Sequence, residues 1–229
     1  MTRLNRWALA VVLVSSLAFA QDATQGWGII GGKTVGNQQT AVEAGLGYPG
    51  IHASLLRGVT PTLDLGARFS FDYGLEGLTN QVVPGIKLQG LLHLSLLESG
   101  IVSLMVTFEP GPLFHFYGGH TDTIGGIRFT SDGYTLSGLA LPIRLQLGIA
   151  ASSALNVGVH FDLPMWIAFG TSNNSASFQL PILAGVGVEY FVKHNMLVYF
   201  EIRMGPTIFT NSSTATFTLI SNVGIGYKF

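Results

Sequence analysis

His52-Ala53-Ser54 and His93-Leu94-Ser95 each set an imidazole and a hydroxyl two residues apart. On an extended chain, residues i and i+2 share a face, so each pair places a base beside a nucleophile of the kind used in acyl transfer. Such a site also needs an acid to orient the histidine, and neither segment supplies one next to it. His115 and His120 with Asp122 offer two or three ligands to a metal, and His160 and Asp162 share a strand face, but neither group has a complete ligand set. There is no glycine-rich phosphate loop, zinc spacing or calcium loop. Nor is there a basic patch, and the net charge of −1 argues against a nucleic-acid partner. The expectation is a chain with no catalytic residue, no metal and no cofactor.

A different chemistry runs through the ionisable residues. From Leu63 to Tyr73, Leu63, Leu65, Ala67, Phe69, Phe71 and Tyr73 alternate with Asp64, Gly66, Arg68, Ser70 and Asp72. From Met196 to Met204, Met196, Val198, Phe200, Ile202 and Met204 alternate with Leu197, Tyr199, Glu201 and Arg203. A strand sends successive side chains to opposite faces, so each segment has an oily face and an ionic one. Extending the assignment gives an ionic face with Asp64, Arg68, Asp72, Lys87, Glu109, Arg144, Asp162, Glu189, Glu201 and Arg203, joined by His93, Tyr199 and Asn222. The opposite face carries Leu88, Leu92, Leu94, Leu104, Phe108, Leu145, Leu147, Phe161, Trp166, Ile182 and Phe200. Acids and bases together on one face predict a cross-strand network of satisfied charges; the functional alternative is a selectivity or gating cluster in a water-filled channel.

Which face meets water is decided by composition and export. Arg3 and Arg6 precede an apolar run from Trp7 to Phe19 that closes with Ala18-Phe19-Ala20, the pattern of a secretory signal peptide cleaved after Ala20. The chain is 48% apolar and only 10% charged, where soluble domains run near ~25% charged. Without Arg3 and Arg6, the 11 basic residues fall to nine against 12 acidic ones. Charge this sparse fits an outer surface facing lipid, with the ionic row enclosed. There is no cysteine, so no disulfide framework operates. Aromatic residues near strand ends (Tyr48, Phe71, Tyr73, Trp166, Phe169, Tyr190, Phe191, Tyr227 and Phe229) fit girdles at the two interfaces.

The elements that must position these faces are strands at 41–48, 50–56, 61–73, 83–97, 101–109, 135–150, 154–169, 177–191, 195–209 and 216–229. Short turns near 57–60, 98–100, 151–153 and 192–194 alternate with longer polar connections at 74–82, 110–134, 170–176 and 210–215. Ile124 to Phe129 and Tyr134 to Leu139 flank Thr130-Ser131-Asp132-Gly133, a hairpin turn. Leu113, Phe114, Phe116 and Tyr117 are expected to fold over the mouth or touch headgroups. The fold expected is an all-β antiparallel transmembrane barrel over residues 41–229, of ten strands, with eight as the alternative. Residues 1–20 form the signal, and residues 21–40 read as a periplasmic lead-in or a loosely attached extension. A single-chain bacterial barrel has an even strand number, and 41–48 supplies the tenth although it is short for a crossing of ~9–11 residues. A barrel this narrow leaves an interior that side chains largely fill.

The last strand, Thr216 to Phe229, places Val223, Ile225, Tyr227 and Phe229 on one face with the aromatic terminal. It resembles the C-terminal recognition strand of small Gram-negative outer-membrane β-barrel proteins. Leu141-Pro142-Ile143 and Leu180-Pro181-Ile182, taken to open two inward-running strands, resemble the same class. That resemblance implies residence in outer-membrane lipid, delivery by periplasmic chaperones and insertion by the barrel-assembly machinery. It implies a structural or interaction role, or narrow passage of a small solute, with a surface ligand on the loops as a further option. The two His-x-Ser pairs are similar to the site of outer-membrane lipid deacylases, but the Asn-Ala that usually follows there is absent. A competing class, the soluble lipocalin-like barrel around an apolar ligand, requires the opposite arrangement, with the ionic row in water.

Overall fold

The computed structural model describes residues 26–74, 84–117, 122–124, 127–129, 134–170, 176–209 and 215–229; the expected signal peptide lies outside them. The strands are β1 (Thr40–Tyr48), β2 (Gly50–Thr60), β3 (Leu63–Asp72), β4 (Gly85–Ser99), β5 (Val102–Phe108), β6 (Gly111–Tyr117), β7 (Asp122–Ile124), β8 (Ile127–Phe129), β9 (Tyr134–Ala150), β10 (Leu155–Gly170), β11 (Ala176–Pro181), β12 (Leu183–Lys193), β13 (Met196–Phe209) and β14 (Thr216–Lys228). Two of the crossings are interrupted. β5 and β6 both pair with β4 and β9 and make one wall strand, broken at Pro110. That residue has no N–H to give the ladder, though its carbonyl still accepts from Gly90 N at 2.8 Å. β11 and β12 likewise share β10 and β13 as neighbours and part at Ile182.

Counted this way the wall has ten antiparallel strands, and β1 against β14 closes it, with Ala41 opposite Lys228 and Tyr48 opposite Ser221. The eight-strand alternative is excluded because β1 is a full partner of both β14 and β2. Closure leaves no sheet edge along the shared register, which is what a lipid-embedded sheet requires.

The alternation seen in the sequence becomes the two sides of the wall. Leu88, Leu92, Leu94, Leu145, Leu147, Phe161 and Phe200 point outward and are exposed, Phe200 by 48%. Glu201, its neighbour in sequence, is buried within. An outer surface made of Leu, Val, Ile and Phe on every wall strand would be unstable in water, whereas a charge on it would cost ~2–4 kcal/mol at the lipid midplane. The lipocalin-like arrangement therefore fails: its faces are the wrong way round.

Several local expectations change. Trp166 does not face lipid. It lies four residues after Asp162, hence on the same face, and is 2% exposed inside the barrel. Phe191 is also buried inside, two residues from Glu189. The remaining aromatics form two levels. Phe71, Tyr73 and Phe169 are exposed at one end, and Tyr190, Tyr227 and Phe229 at the other. Tyr48 lies edge-on to Tyr73 at 6.3 Å. β2 runs on to Thr60 through an irregularity at Gly58, so the turn falls at Pro61-Thr62 rather than over 57–60. Ile124–Phe129 is not one strand, because β8 folds back on β7; the turn at 130–133 lies outside the described residues. Pro142 sits within β9 opposite Pro164 instead of opening a strand. Leu113 points inward from the wall, and Phe114 and Phe116 point outward.

Candidate functional site

The lumen is built in three layers, and the lowest was not foreseen. Trp27–Gly36, part of the stretch read from sequence as a lead-in, lies inside the barrel at the end that carries Phe229 and the short turns, which in this class is the periplasmic end; Asn37–Gln39 is exposed at the rim. Trp27 is fully buried, donates from Nε1 to His194 O at 3.1 Å and stacks edge-on against Phe191 at 6.0 Å. Ile29 and Ile30 donate their backbone N–H groups to Glu189 Oε1, and Asn156 Nδ2 donates to Glu189 Oε2 at 3.1 Å. Gln146 Nε2 donates to Ile29 O at 3.2 Å and Ser103 Oγ to Gly31 O at 2.5 Å. Val35 N donates to Asp64 Oδ2 at 2.9 Å, and Thr34 Oγ1 to Pro61 O at 2.7 Å. The segment thus touches β12, β10, β9, β5 and β3 before it enters β1. Burial pushes the Lys33 ammonium below its ordinary range, with Glu98 and Glu189 pulling the other way.

Glycine makes room for this plug on both sides. Gly32 and Gly36 take left-handed φ values of 70° and 97°, which bend the segment across the bore. In the wall, a methyl group at Gly148 would strike the Gly31 carbonyl, at Gly158 or Gly187 the Ile30 side chain, and at Gly58 the Gly36 carbonyl. Together with Leu56, Leu91 and Leu197, the apolar plug residues Trp27, Ile30 and Val35 form a core cluster inside the barrel.

Above the plug lies the ionic layer. Arg68 donates from Nε to Ser54 Oγ at 2.9 Å, from Nη1 to Glu109 Oε2 at 2.7 Å and from Nη2 to Glu43 Oε2 at 3.2 Å. Glu43 Oε1 also accepts from Tyr199 OH at 2.7 Å and lies 3.0 Å from His52 Nε2. On the other side of the bore, Arg144 Nε donates to Asp162 Oδ1 at 2.5 Å, and its Nη1 reaches Glu201 Oε2 at 3.3 Å. Arg203 Nη2 is 3.1 Å from Glu201 Oε1, which also accepts from Asn222 Nδ2 at 2.9 Å. Lys87 Nζ pairs with Asp72 Oδ2 at 3.0 Å. The register sets these contacts: Arg144 stands directly opposite Asp162, and Glu43, Ser54, Arg68 and Gln89 occupy successive rungs of β1 to β4.

Of the ten residues expected on the ionic face, Arg68, Asp72, Lys87, Glu109, Arg144, Asp162, Glu201 and Arg203 therefore lie in ion pairs. Asp64 and Glu189 instead hold the plug backbone. Glu43 was not singled out from the sequence, although its alternation with Val42, Ala44 and Leu46 carries the signal.

The third layer mixes apolar Leu113, Leu136, Trp166, Leu183, Phe209 and Ile220 with polar His115, Gln179, Thr207 and Thr218, all buried and facing inward. Between it and the plug is a cavity of about 110 Å³, floored by Ile29 and Ile30 and reaching Pro49 and Gly50 at the tip of the β1–β2 hairpin.

Ser54 Oγ accepts from Arg68, His52 faces Glu43 and Tyr199, and Ser95 Oγ donates to Glu98 Oε1 at 3.4 Å. Among the described residues no three acidic or histidine side chains converge as a metal site. His120 lies outside them.

A closed wall of ten strands, oily outside and ionic within, defines a transmembrane β-barrel of the bacterial outer-membrane type. No protein-family model matches the chain, and no curated protein matches its sequence. Among solved structures, the chain is similar to the β domain of the Bordetella autotransporter BrkA, at 14% identity over 83% of this chain and 97% of that one, with a TM-score of 0.48. It is similar to the outer membrane protease OmpT from Escherichia coli at 12% identity over 84% of this chain and 94% of that one, with a TM-score of 0.44. A third likeness is to the N-terminal β-barrel domain of Pseudomonas aeruginosa OprF, at 10% identity over 85% and 99% of the two chains, with a TM-score of 0.39.

Proposed function

We propose that this protein is a non-enzymatic, non-conducting outer-membrane barrel with a structural or interaction role. It keeps its periplasmic end shut with Trp27–Gly36 and holds a vestibule towards the outside. The observation that carries this reading is the hydrogen bonding of Ile29, Ile30 and Val35 to Glu189 and Asp64, which spans the bore with ordered backbone. The ionic layer above it supports the same reading. Its charges satisfy one another rather than lining one side of a water column in a single sign, as a selective pore does. Outer-membrane lipid surrounds the wall. We also infer that Val223, Ile225, Tyr227 and Phe229, exposed on the outer face of β14, carry the signal read by the assembly machinery after chaperone delivery.

Planar-bilayer recording tests the closed barrel. The unmodified protein is expected to give no discrete openings, and a variant lacking residues 21–39 to give stepwise conductance. Openings in the unmodified protein that change size with Arg68→Ala or Glu201→Ala would replace this reading with narrow solute passage.

A further inference from the structure

Three cations take no part in the plug or the ionic layer. Of the 11 lysines and arginines, Arg3 and Arg6 belong to the expected signal. Arg68, Lys87, Arg144 and Arg203 are paired inside the bore, Lys33 is buried in the plug, and Arg128 belongs to β8 at the outer end. Arg57, Lys193 and Lys228 remain. Arg57 Nη1 donates to Thr40 Oγ1 at 2.7 Å, and Lys228 Nζ sits over the Trp27 ring, 5.7 Å from its centroid. Among the described residues none of the three has a carboxylate partner, although every cation of the ionic layer does.

All three lie on one arc of the periplasmic rim. Thr40 stands opposite Arg57 and exchanges backbone hydrogen bonds with Phe229 at 3.2 and 2.9 Å. Lys228 N donates to Asn195 O at 2.8 Å, in the β12–β13 turn that also carries exposed Lys193 and His194. β2, β1, β14, β13 and β12 are consecutive in the wall. Neighbouring strands are ~4.8 Å apart, so Arg57, Lys228 and Lys193 follow one another two strands, or about 10 Å, at a time. The exposed aromatics of this end, Tyr190, Tyr227 and Phe229, fall on the same arc. Across the barrel the rim differs: the β4–β5 and β9–β10 turns carry no cation, Glu98 lies beside the first, and the outward residues there are Leu94, Leu96 and Leu147.

Arg57 fixes the depth of this arc. It belongs to the outward row of β2, among Ile51, Ala53, Leu55 and Val59, with Leu65 opposite. A guanidinium in such a row is tolerated near the interface, where its stem lies along the wall and its head reaches the lipid phosphates. Cations at phosphate level beside amphipathic rings match a lipid whose headgroup is negative and whose chains begin at the rings. A zwitterionic headgroup brings its own ammonium, which competes with Lys193 and Lys228 for the phosphate. A soluble acidic protein would meet the cations and leave the rings uncovered.

We propose that the rim from β2 to β12 is a binding site for anionic phospholipid of the periplasmic leaflet, of the phosphatidylglycerol type. Arg57, Lys193 and Lys228 take the phosphates, and Tyr190, Tyr227 and Phe229 take the glycerol backbone and the first acyl carbons. The leaflet follows from the short turns, which face the periplasm in this class.

Contact quenching by lipids brominated on the acyl chain tests this in reconstituted bilayers. Trp27 and Trp166 are buried inside the barrel, so a tryptophan placed on the outer face reports the lipid beside it once the emission of the unmodified protein is subtracted. In phosphatidylcholine bilayers containing phosphatidylglycerol, Tyr190→Trp should select brominated phosphatidylglycerol over brominated phosphatidylcholine by about fivefold or more, the contribution expected of even one cation at an anionic surface. Leu147→Trp, across the barrel at the same end, should show no preference above about twofold. Adding Arg57→Gln, Lys193→Gln and Lys228→Gln to Tyr190→Trp should bring its preference down to that level, with heat-modifiable mobility reporting the intact barrel. Salt at ~1 M, which shortens the Debye length to ~3 Å, should weaken the preference with all three cations in place. Equal association of the two lipids at Tyr190→Trp overturns the proposal, as does a preference that the folded triple variant retains or that Leu147→Trp shares. None of these readouts depends on whether the bore conducts, so their failure leaves the closed-barrel reading standing.

Discussion

Replacing Glu189 by leucine should free the plug while leaving the wall in place. Glu189 is fully buried, and its Oε1 accepts the backbone N–H groups of Ile29 and Ile30. Leucine has similar bulk and accepts nothing, so two buried donors lose their partner. Each unmade buried hydrogen bond costs ~1–3 kcal/mol, and both donors regain water once the plug leaves, so the whole penalty falls on the docked state. The combined loss is about 2–5 kcal/mol, which multiplies the undocked population by roughly 30-fold to 3,000-fold at ~1.4 kcal/mol per decade. The wall should survive, because the β12 ladder bonds to β10 and β13 are made by backbone and not by this side chain.

The chain contains no cysteine, so a single probe reports cleanly. Ile30 is 1% exposed and packs against Gly158 and Gly187. In an Ile30→Cys protein, maleimide can react only when the segment has left the lumen. When opening and closing are fast compared with labelling, the rate follows the population of the open form. Adding Glu189→Leu should therefore raise the labelling rate at least about 30-fold, by the same arithmetic. Heat-modifiable mobility on gels, which reads the barrel itself, should not change. An increase below about threefold, with the barrel intact, would refute the assignment of Glu189 as the anchor of the plug.

Two further outcomes follow from the wall. Arg144→Leu removes one of the two cations that Asp162 and Glu201 share, leaving only Arg203, and should cost about 3–5 kcal/mol in urea unfolding from lipid vesicles, whereas Arg57→Ala, whose Nη1 donates to Thr40 Oγ1 at the exposed rim, should cost under about 1 kcal/mol. Phe200→Arg puts a charge on the outward face and should destabilise the folded barrel by about 2–4 kcal/mol in the same assay; a neutral result would mean that this position does not face hydrocarbon.

The wall was legible because strand alternation is a local property that tolerates no slippage. Moving Phe200 by one residue would exchange it with Glu201 on the lipid side, so every charged residue within a strand reports the register of its neighbours. That is why the ionic face from Asp64 to Arg203 is legible in the sequence, and why the parity of Trp166 follows from Asp162 even though an aromatic near a strand end suggests the girdle. The plug was illegible for the opposite reason. Trp27–Gly36 has no period, and its contacts are with residues up to 167 positions away, as between Trp27 and His194. The trace it leaves is indirect: glycines at inward positions 58, 148, 158 and 187, where a narrow barrel would otherwise use side chains to fill its bore.

Asp64 and Glu189 illustrate the limit of reading charge from pattern. Both sit on the inner face, and pattern alone assigns them to ion pairs with the arginines. The structure gives them backbone amides instead, because at their level the bore is occupied by main chain. A peptide segment crossing a lumen cannot pair its own N–H groups with itself unless it coils, so the wall must supply acceptors where it passes. Carboxylates low in the bore are therefore as strong a sign of an internal plug as the missing side chains around them. The arginines cluster one layer higher because that is where carboxylates from opposite walls meet with no peptide between them. The interior is thus divided by what has to be satisfied at each height: amides at the periplasmic end and ion pairs in the middle.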